Sequence, residues 1–153
     1  MVCLGNICRS PLAEGILQKR AADAGLKWRV DSAGTGAYHI DQPPHVLSMK
    51  VAKMNGVDIS NQRAKQFVKE DILQFDKIYV MDSSNYNDVR KISKELWKEE
   101  KVELLLNELY PNENRPVPDP WYGKEDGYHE VFKLIDEACE KIMCIYANAQ
   151  MRK

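Results

Sequence analysis

The chain lacks an excess of charge of either sign, and it lacks long hydrophobic runs. Its 22 Lys and Arg residues nearly balance its 23 Asp and Glu residues, so the formal net charge is -1 at pH 7. This balance provides no electrostatic attraction to nucleic acid or to an anionic membrane surface. No apolar stretch reaches the roughly 20 residues of a membrane-spanning helix, and no signal peptide is recognisable. We therefore expect a cytoplasmic protein without nucleic-acid or membrane partners.

The chain also lacks a cysteine pattern typical of a zinc site, although it has four cysteines. Cys3 and Cys8 lack the spacing that is typical of zinc ligands. Cys139 and Cys144 lie within a long helical pattern without a further ligand set. We therefore expect no metal and no cofactor, reduced thiols of the kind that persist inside cells, and a core position for Cys139.

Hydrophobic spacing along the chain alternates between the periods of helices and strands. The predicted helices are residues 10–25, 46–56, a helix capped by Ser83 or Ser84, and 127–149, and the predicted strands are residues 28–33, 77–81 and 102–106. This alternation predicts an α/β fold in one domain, residues 1–153, with a parallel sheet flanked by helices. The segment 110–126, rich in Pro, Gly and Asn, is a candidate active-site loop.

The motif that carries chemistry opens the chain, where residues 2–11 are VCLGNICRSP. A nucleophilic cysteine reacts as the thiolate, so Cys3 needs the electropositive surroundings that backbone N–H groups at a helix N-terminus provide. The same N–H groups bind anions, and the guanidinium of Arg9 can engage two phosphoryl oxygens at once. The motif therefore predicts a loop that binds a phosphoryl group and attacks it. Its phosphate-binding residues are Leu4, Gly5, Asn6, Ile7, Cys8, Arg9 and Ser10.

The residues around the motif indicate a loop that leads into a helix. Gly5 permits a tight backbone turn. Ser10 is a preferred N-cap, Pro11 suits the first helical position and Glu14 lies in the first turn. Gly25 is the predicted stop of this helix.

These residues resemble the low molecular weight protein tyrosine phosphatases, whose signature Cys-x5-Arg-Ser is matched by Cys3, Arg9 and Ser10. The likeness covers nearly the whole chain and continues through residues 31–39, 81–86 and 117–123. It implies the phosphotyrosine phosphatase fold, in which a small doubly wound, flavodoxin-like parallel sheet is flanked by helices. It also implies hydrolysis of protein phosphotyrosine and of aryl phosphates, without a metal. In this resemblance Cys3 is the nucleophile, Arg9 binds the phosphoryl group in the transition state, and Asp119 is the general acid.

The chemistry independently requires an acid such as Asp119. A tyrosyl oxygen, whose conjugate acid has a pKa near ~10, leaves slowly unless it receives a proton as its bond breaks. Pro118 and Pro120 fix the backbone on both sides of Asp119. The same carboxylate can then activate the water that hydrolyses the cysteinyl phosphate.

Further roles follow from the resemblance. Asn6 and Ser32 match residues that hold the loop in shape, and Ser10 matches the hydroxyl that stabilises the thiolate. The expected walls of a slot for a phenyl ring are Leu4, Tyr38, Trp121 and Tyr122. Cys8 lies five residues from the nucleophile, so we also expect it to be a redox partner that traps oxidised Cys3 as a disulfide.

Two side chains depart from the family pattern. Gln62 stands where relatives have a histidine that joins the loop-supporting network, so this part of the network is expected to differ. Asp41 replaces a common glycine. Aspartate tolerates left-handed backbone geometry better than most residues, so we expect a changed loop and no loss of the fold.

The start of the chain departs further, because only Met1 and Val2 precede Cys3 where family members carry a hydrophobic strand. A central strand usually has about five or six residues, and four buried aliphatic side chains contribute roughly 6 to 12 kcal/mol. We therefore expect a first strand that is truncated at the N-terminus, with Met1 an internal methionine of a longer natural protein.

Three alternative functions remain open. A protein-arginine phosphatase would have a smaller polar residue at Ile7. An arsenate reductase would need further cysteines in the middle of the chain, and there are none between Cys8 and Cys139. A module that binds phosphotyrosine without turnover would not need Asp119. The oligomeric state is not predicted.

Overall fold

The computed structural model describes residues 1–151 and contains one four-stranded sheet. The strands are β1 (Val2–Cys3), β2 (Ala33–Gly34), β3 (Ile78–Val80) and β4 (Val102–Leu104). Their spatial order is β2-β1-β3-β4, and every pairing is parallel. The predicted α/β fold with a parallel sheet is confirmed.

Helices and tight turns connect the strands. The helices are α1 (Arg9–Asp23), α2 (Val46–Met54), α3 (Asp71–Gln74), α4 (Ser83–Ser93), α5 (Glu125–Ile142) and α6 (Asn148–Met151), with a π-helical segment at Met143–Ala147 and 3₁₀ turns at Lys94–Leu96, Glu99–Lys101 and Leu105–Glu108. No helix within residues 1–151 is both long and apolar enough to cross a membrane.

Alternating side chains of the strands divide the core between the two faces of the sheet. Cys3 and Tyr79 belong to an apolar cluster with side chains of α1, α2 and α5. Val2, Ile78 and Val80 belong to a second cluster with side chains of α3 and α4. Since successive strand residues point to opposite faces, the sheet is covered on both sides, as parallel sheets usually are.

The strand order places the site. The order of the strands reverses between β1 and β3, which lie side by side although α1 and α2 separate them in the chain. The loops after these two strands therefore leave the same edge of the sheet in different directions and open a crevice. Cys3 ends β1 at this crevice.

The predicted strand at residues 28–33 is wrong except at Ala33. A parallel strand needs a neighbour along its length, and β1 offers only Val2 and Cys3, which pair with Ala33 and Gly34. The Met1 ammonium adds one hydrogen bond to the carbonyl of Asp31 at 3.0 Å. The backbone before Asp31 borders a groove of about 800 Å³ that separates it from residues 74–79, so it lies beside open space instead of a strand.

Other helices and strands begin or end at residues different from those predicted. Asp82, and not Ser83 or Ser84, caps α4, because its carboxylate accepts the N–H of Asn85 at 2.8 Å. The last strand ends at Leu104, since the next residues form a 3₁₀ turn. The closing α-helix is Glu125–Ile142, shorter than predicted at its C-terminal end because a π-helical segment follows. By contrast α2 matches its prediction, and Cys139 is fully buried as expected.

Candidate active site

We call the loop between β1 and α1 the signature loop (residues 3–9). Four of its carbonyl groups point away from the loop and accept hydrogen bonds from other segments. The pairs are Thr35 N–H to Cys3 (2.9 Å), Gly36 N–H to Leu4 (2.9 Å), His45 N–H to Ile7 (2.8 Å) and the Ser48 hydroxyl to Cys8 (3.2 Å). In a trans peptide the carbonyl and the following N–H point in opposite directions. The N–H groups directed into the loop are therefore those of Leu4, Gly5, Cys8 and Arg9. They form a cradle for an anion.

Cys3 lies buried at the base of this cradle, 3% exposed. Its Sγ is 3.1 Å from Ser10 Oγ and accepts the N–H of Asn6 at 3.3 Å. Ser10 is not the helix cap that its residue type suggested, because α1 begins one residue earlier, at Arg9. Its hydroxyl lies in the first turn and faces the sulfur.

Asn6 determines which way the Ser10 hydroxyl points. The backbone N–H of Lys65 donates to Asn6 Oδ1 at 3.1 Å, and a backbone N–H can only donate, so the side-chain amide has a fixed orientation. Its Nδ2 therefore donates to Ser10 Oγ at 2.7 Å and to Ser32 Oγ at 2.9 Å. Since Ser10 Oγ accepts from Asn6, its own proton is free to donate to Cys3 Sγ.

Glu14 ends the other branch of this network, a role that its position in the sequence did not reveal. Ser32 Oγ accepts from Asn6 and donates to Glu14 Oε1 at 2.8 Å. Glu14 is the sixth residue of α1 and not a first-turn acid, because the helix begins at Arg9. Burial raises the pKa of Glu14. The half-buried carboxyl group of Glu14 faces Ser32 and keeps that hydroxyl in the donating orientation.

Arg9 is 3% exposed and is held by a partner 73 residues away. Its Nη1 donates to Asp82 Oδ2 at 2.8 Å and to the carbonyl of Val117 at 3.0 Å. Asp82 thus caps α4 and orients the guanidinium at the same time. The sequence analysis gave Asp82 no role, although an acidic residue directly after a buried strand is a recognisable signal.

Asp119 lies across the crevice from Arg9, in a segment that we call the acid loop (residues 118–124). Its Oδ2 is 3.9 Å from Arg9 Nη2, and its side chain is 41% exposed. Its Oδ1 accepts the N–H of Trp121 at 3.0 Å. The structure therefore brings together the three residues predicted to be catalytic.

The four predicted slot residues are all on exposed loops, and they are not equally close to the site. Their exposed fractions are 44% for Leu4, 74% for Tyr38, 42% for Trp121 and 93% for Tyr122. The Tyr38 ring covers Gly36, where a Cβ atom would lie 2.5 Å from it, and Gly36 is bonded to the Leu4 carbonyl. Tyr122 makes no ring contact with the other three within the described part of the chain. The slot thus stays a prediction.

Two histidines that the sequence analysis did not single out lie beside these residues. The His39 ring lies between Gly5, whose added Cβ would be 3.1 Å from it, and the Trp121 ring at 5.6 Å. The His45 ring lies 5.4 Å from Trp121 on another side. The chain has only three histidines, and two of them lie in the segment 39–45, so this clustering was visible in the sequence.

Cys8, the predicted redox partner, is buried beside the signature loop. Its Sγ lies 3.7 Å from Tyr128 Oη. Burial raises the pKa of Cys8 to about 11, so this thiol is protonated at neutral pH. Cys3 and Cys8 are both free thiols in the structure.

The two family departures have local consequences. Gln62 Nε2 donates to the Pro11 carbonyl at 3.0 Å, so it supports α1 and makes no hydrogen bond to Asn6 or Ser32 in the described part of the chain. Asp41 has a φ of 67°, the left-handed geometry that was expected to be tolerated there. Within residues 1–151 no group of three or more His, Cys, Asp and Glu residues is arranged to hold a metal ion.

Comparisons with known proteins agree with this geometry. Residues 1–153 match the sequence model of the family described as low molecular weight phosphotyrosine protein phosphatase. The human protein of that name is 37% identical over 145 residues, which are 93% of this chain and 90% of the human one. The crystal structure of YfkJ from Bacillus subtilis has a TM-score of 0.87 at 36% identity and covers 99% of this chain and 93% of its own. The structure of Vibrio vulnificus Wzb in complex with benzylphosphonate has a TM-score of 0.81 at 32% identity and covers 91% of each chain. The chain belongs to the low molecular weight phosphotyrosine protein phosphatase family.

Proposed function

We propose that this protein hydrolyses phosphotyrosine in proteins, and small aryl phosphates, through a cysteinyl phosphate on Cys3. One observation carries the proposal. Cys3 Sγ lies at the base of a cradle of N–H groups, and Arg9 and Asp119 face each other across its opening at 3.9 Å. This arrangement combines a nucleophile, a cationic phosphoryl clamp and an acid, and membership of the family supports it.

In the first step the Cys3 thiolate attacks phosphorus. A sulfur–phosphorus bond forms while the bond between phosphorus and the tyrosyl oxygen breaks. Asp119 transfers its proton to that oxygen, so neutral tyrosine leaves and Asp119 becomes a carboxylate. The inward N–H groups and Arg9 stabilise the negative charge on the equatorial phosphoryl oxygens.

In the second step water releases the phosphate. The Asp119 carboxylate takes a proton from a water molecule as its oxygen attacks phosphorus, and the sulfur–phosphorus bond breaks. Cys3 leaves as a thiolate, to which the Ser10 hydroxyl donates its proton in a hydrogen bond of 3.1 Å. Inorganic phosphate departs and Asp119 is protonated again.

The substrate class is aryl phosphates carried on proteins. Wzb, a solved relative, holds benzylphosphonate, which joins a phenyl ring to a phosphonate. Leu4, Tyr38 and Trp121 offer apolar surface around the cradle for such a ring. None of the relatives named above is an arginine phosphatase or an arsenate reductase. A cytoplasmic location fits because a thiolate nucleophile needs a reducing compartment.

The nucleophile is tested by two matched substitutions. Cys3→Ser should abolish hydrolysis of an aryl phosphate, and rapid quenching with labelled substrate should trap no phosphoenzyme. Cys8→Ser, on the same loop, should retain most of the activity and form the phosphoenzyme. Equal loss in both variants would contradict the assignment of Cys3.

A further inference from the structure

His45 contacts both the signature loop and the first turn of α2. Its backbone N–H donates to the Ile7 carbonyl at 2.8 Å. Its Nδ1 accepts the N–H of Leu47 at 3.1 Å, so the side chain is the N-cap of α2. A nitrogen that accepts a backbone N–H carries no proton, and burial lowers the pKa of His45, which keeps the ring neutral. The imidazole therefore has a fixed orientation.

The remaining surface of this ring contacts two aromatic side chains. It stacks on Tyr128 of α5 with ring centroids 5.2 Å apart and an interplanar angle of 19°. It meets Trp121 of the acid loop edge-on at 5.4 Å and 73°. Tyr128 is fully buried, so it forms a rigid base for His45. A fixed aromatic stack thus extends from the core to the acid loop.

Trp121 connects that stack to the proposed acid. Its backbone N–H donates to Asp119 Oδ1 at 3.0 Å. Only Pro120 separates the two residues, and proline restricts the backbone between them. Because both the hydrogen bond and the chain join Trp121 to Asp119, a displacement of the indole displaces the carboxyl group.

The ends of the acid loop have separate anchors. Before it, the Val117 N–H donates to the Met81 carbonyl at 2.8 Å. After it, Lys50 of α2 lies 2.5 Å from Glu125 at the start of α5. Between these anchors Asp119 lies 3.9 Å from Arg9, Pro120 is buried, and the Trp121 ring meets the rings of His39 and His45. The ring contacts are what place the indole, which is 42% exposed.

We propose that His45 is a positioning residue for the general acid: capped on α2 and stacked on Tyr128, its imidazole places Trp121 and so holds Asp119 at the leaving-group oxygen. The inference rests on the proposed function, since it assumes that Asp119 donates the proton. His45 itself touches no reacting atom.

Two substitutions separate the ring of His45 from its cap. His45→Asn keeps a side-chain acceptor for the Leu47 N–H but removes the ring. His45→Phe keeps an aromatic ring but removes the acceptor. The two substrates are phenyl phosphate, whose leaving group needs a proton, and 2,4-dinitrophenyl phosphate, whose leaving group does not. The quantity compared is kcat/KM, which covers the steps up to the cysteinyl phosphate and not the later attack of water. For the second substrate it reports the nucleophile and the cradle alone.

We expect His45→Asn to lower kcat/KM for phenyl phosphate about tenfold and kcat/KM for the dinitrophenyl ester less than about twofold, with little change in Tm. His45→Phe should lower Tm by about 2 to 4 °C and keep the wild-type ratio of the two kcat/KM values. Trp121→Ala should change that ratio as much as His45→Asn does. A variant that carries both substitutions should have the same ratio as either single variant.

Asp119→Asn separates this inference from the proposed function. If Asp119→Asn lowers kcat/KM for both substrates equally, Asp119 is not the acid and the proposed function is wrong. If it slows phenyl phosphate selectively while His45→Asn slows both equally or neither, the positioning role is overturned. Trp121→Ala alters an exposed loop, so an unchanged ratio in that variant would overturn the inference even if His45→Asn failed to fold.

Discussion

Asn6 shows how one side chain can determine the geometry of a catalytic loop. It adopts a φ of 57°, which is unusual for a residue other than glycine, and asparagine tolerates this geometry better than most. Its amide donates to Ser10 and Ser32 and accepts from Lys65. All amide hydrogens are used, so any change removes either a conformational preference or a hydrogen bond.

Asn6→Ala should therefore lose activity and stability together. Alanine is strained at positive φ, and the hydroxyls of Ser10 and Ser32 lose their donor. We expect kcat for an aryl phosphate to fall at least about tenfold and the free energy of unfolding to fall by about 2 to 3 kcal/mol. Asn6→Gly relieves the backbone strain but does not restore the lost hydrogen bonds. Full activity of the glycine variant would show that the network has no catalytic role.

Substitution of the exposed Asp119 should affect two classes of substrate unequally. Asp119→Ala removes the acid and leaves the cradle and Arg9 in place. We expect kcat/KM for phosphotyrosine peptides to fall about 10²- to 10⁴-fold and kcat/KM for esters with acidic leaving groups to fall much less. The ratio of the two kcat/KM values is the measurement, because it does not include the attack of water on the shared cysteinyl phosphate. Equal slowing of both substrate types would assign Asp119 a structural role.

Cys8 gives the site a predicted response to peroxide. Hydrogen peroxide converts the Cys3 thiolate to a sulfenic acid, and attack by the Cys8 thiol then releases water and forms a disulfide. Because burial raises the pKa of Cys8 to about 11, we expect Cys3 to react first. Dithiothreitol should restore activity in the wild type and not in Cys8→Ser, whose Cys3 oxidises further. Mass spectrometry without a Cys3–Cys8 linkage would exclude this trap.

At the scale of elements, α2 supports the signature loop although no residue within it was predicted to be functional. Its first residues bind the loop from outside, through the His45 N–H to Ile7 and the Ser48 hydroxyl to Cys8. These bonds orient two carbonyls outwards and hence two N–H groups inwards. The helix thus shapes the cradle of N–H groups through hydrogen bonds to the backbone of another element.

Ser48→Ala tests this support. The substitution removes the hydroxyl donor and leaves the Cys8 carbonyl with the first intrahelical N–H of α1 alone, so we expect a loss of about 0.5 to 1.5 kcal/mol in stability and several-fold weaker inhibition by inorganic phosphate. Ser93→Ala is the matched control, because this fully buried hydroxyl donates to Val89 within α4 at 2.7 Å. It should lose stability and keep the wild-type inhibition constant. Weaker phosphate binding in both variants would mean that general destabilisation is the cause.

At the scale of the whole molecule, buried thiols couple stability to alkaline pH. Burial raises the pKa of Cys139 from 9.0 to about 12 and that of Cys8 from 9.0 to about 11. Between pH 9 and these values the unfolded chain has lost protons that the folded chain keeps. The folded state then binds more protons, so stability is full below about pH 9 and falls as the pH rises.

Cys139→Ala should make this loss of stability at alkaline pH less steep. Each thiol in its window contributes a slope of about 1.4 kcal/mol per pH unit, so the variant should lose stability less steeply between pH 9.5 and about 11. Urea unfolding at several pH values measures the slope of the free energy of unfolding against pH. The small cavity left by Cys139→Ala lowers that free energy by the same amount at every pH, so it does not alter the slope. Cys144→Ala, at an exposed position, is expected to keep the wild-type slope. Identical slopes in Cys139→Ala and wild type would contradict the coupling.

The sequence by itself determined features whose causes are local. The spacing of Cys3 and Arg9 lies within one loop, and α2 and the turn glycine Gly25, with a φ of 74°, depend on neighbours a few residues away. The nucleophile, clamp and acid that we propose could therefore be picked out from short segments, and the parallel α/β class, which the structure confirms, could be predicted in the same way. Asp41 in left-handed geometry belongs to the same group.

Only the tertiary structure decided the partners that are distant in the chain. Asp82 meets Arg9 because β1 and β3 are adjacent in the sheet, and Glu14 meets Ser32 because α1 packs beside the start of β2. His45 reaches the acid loop through the packing of α2 on α5. The segment 28–32 has strand-like residues but no strand, because hydrogen bonding in a sheet depends on a neighbouring backbone and not on the segment's own side chains.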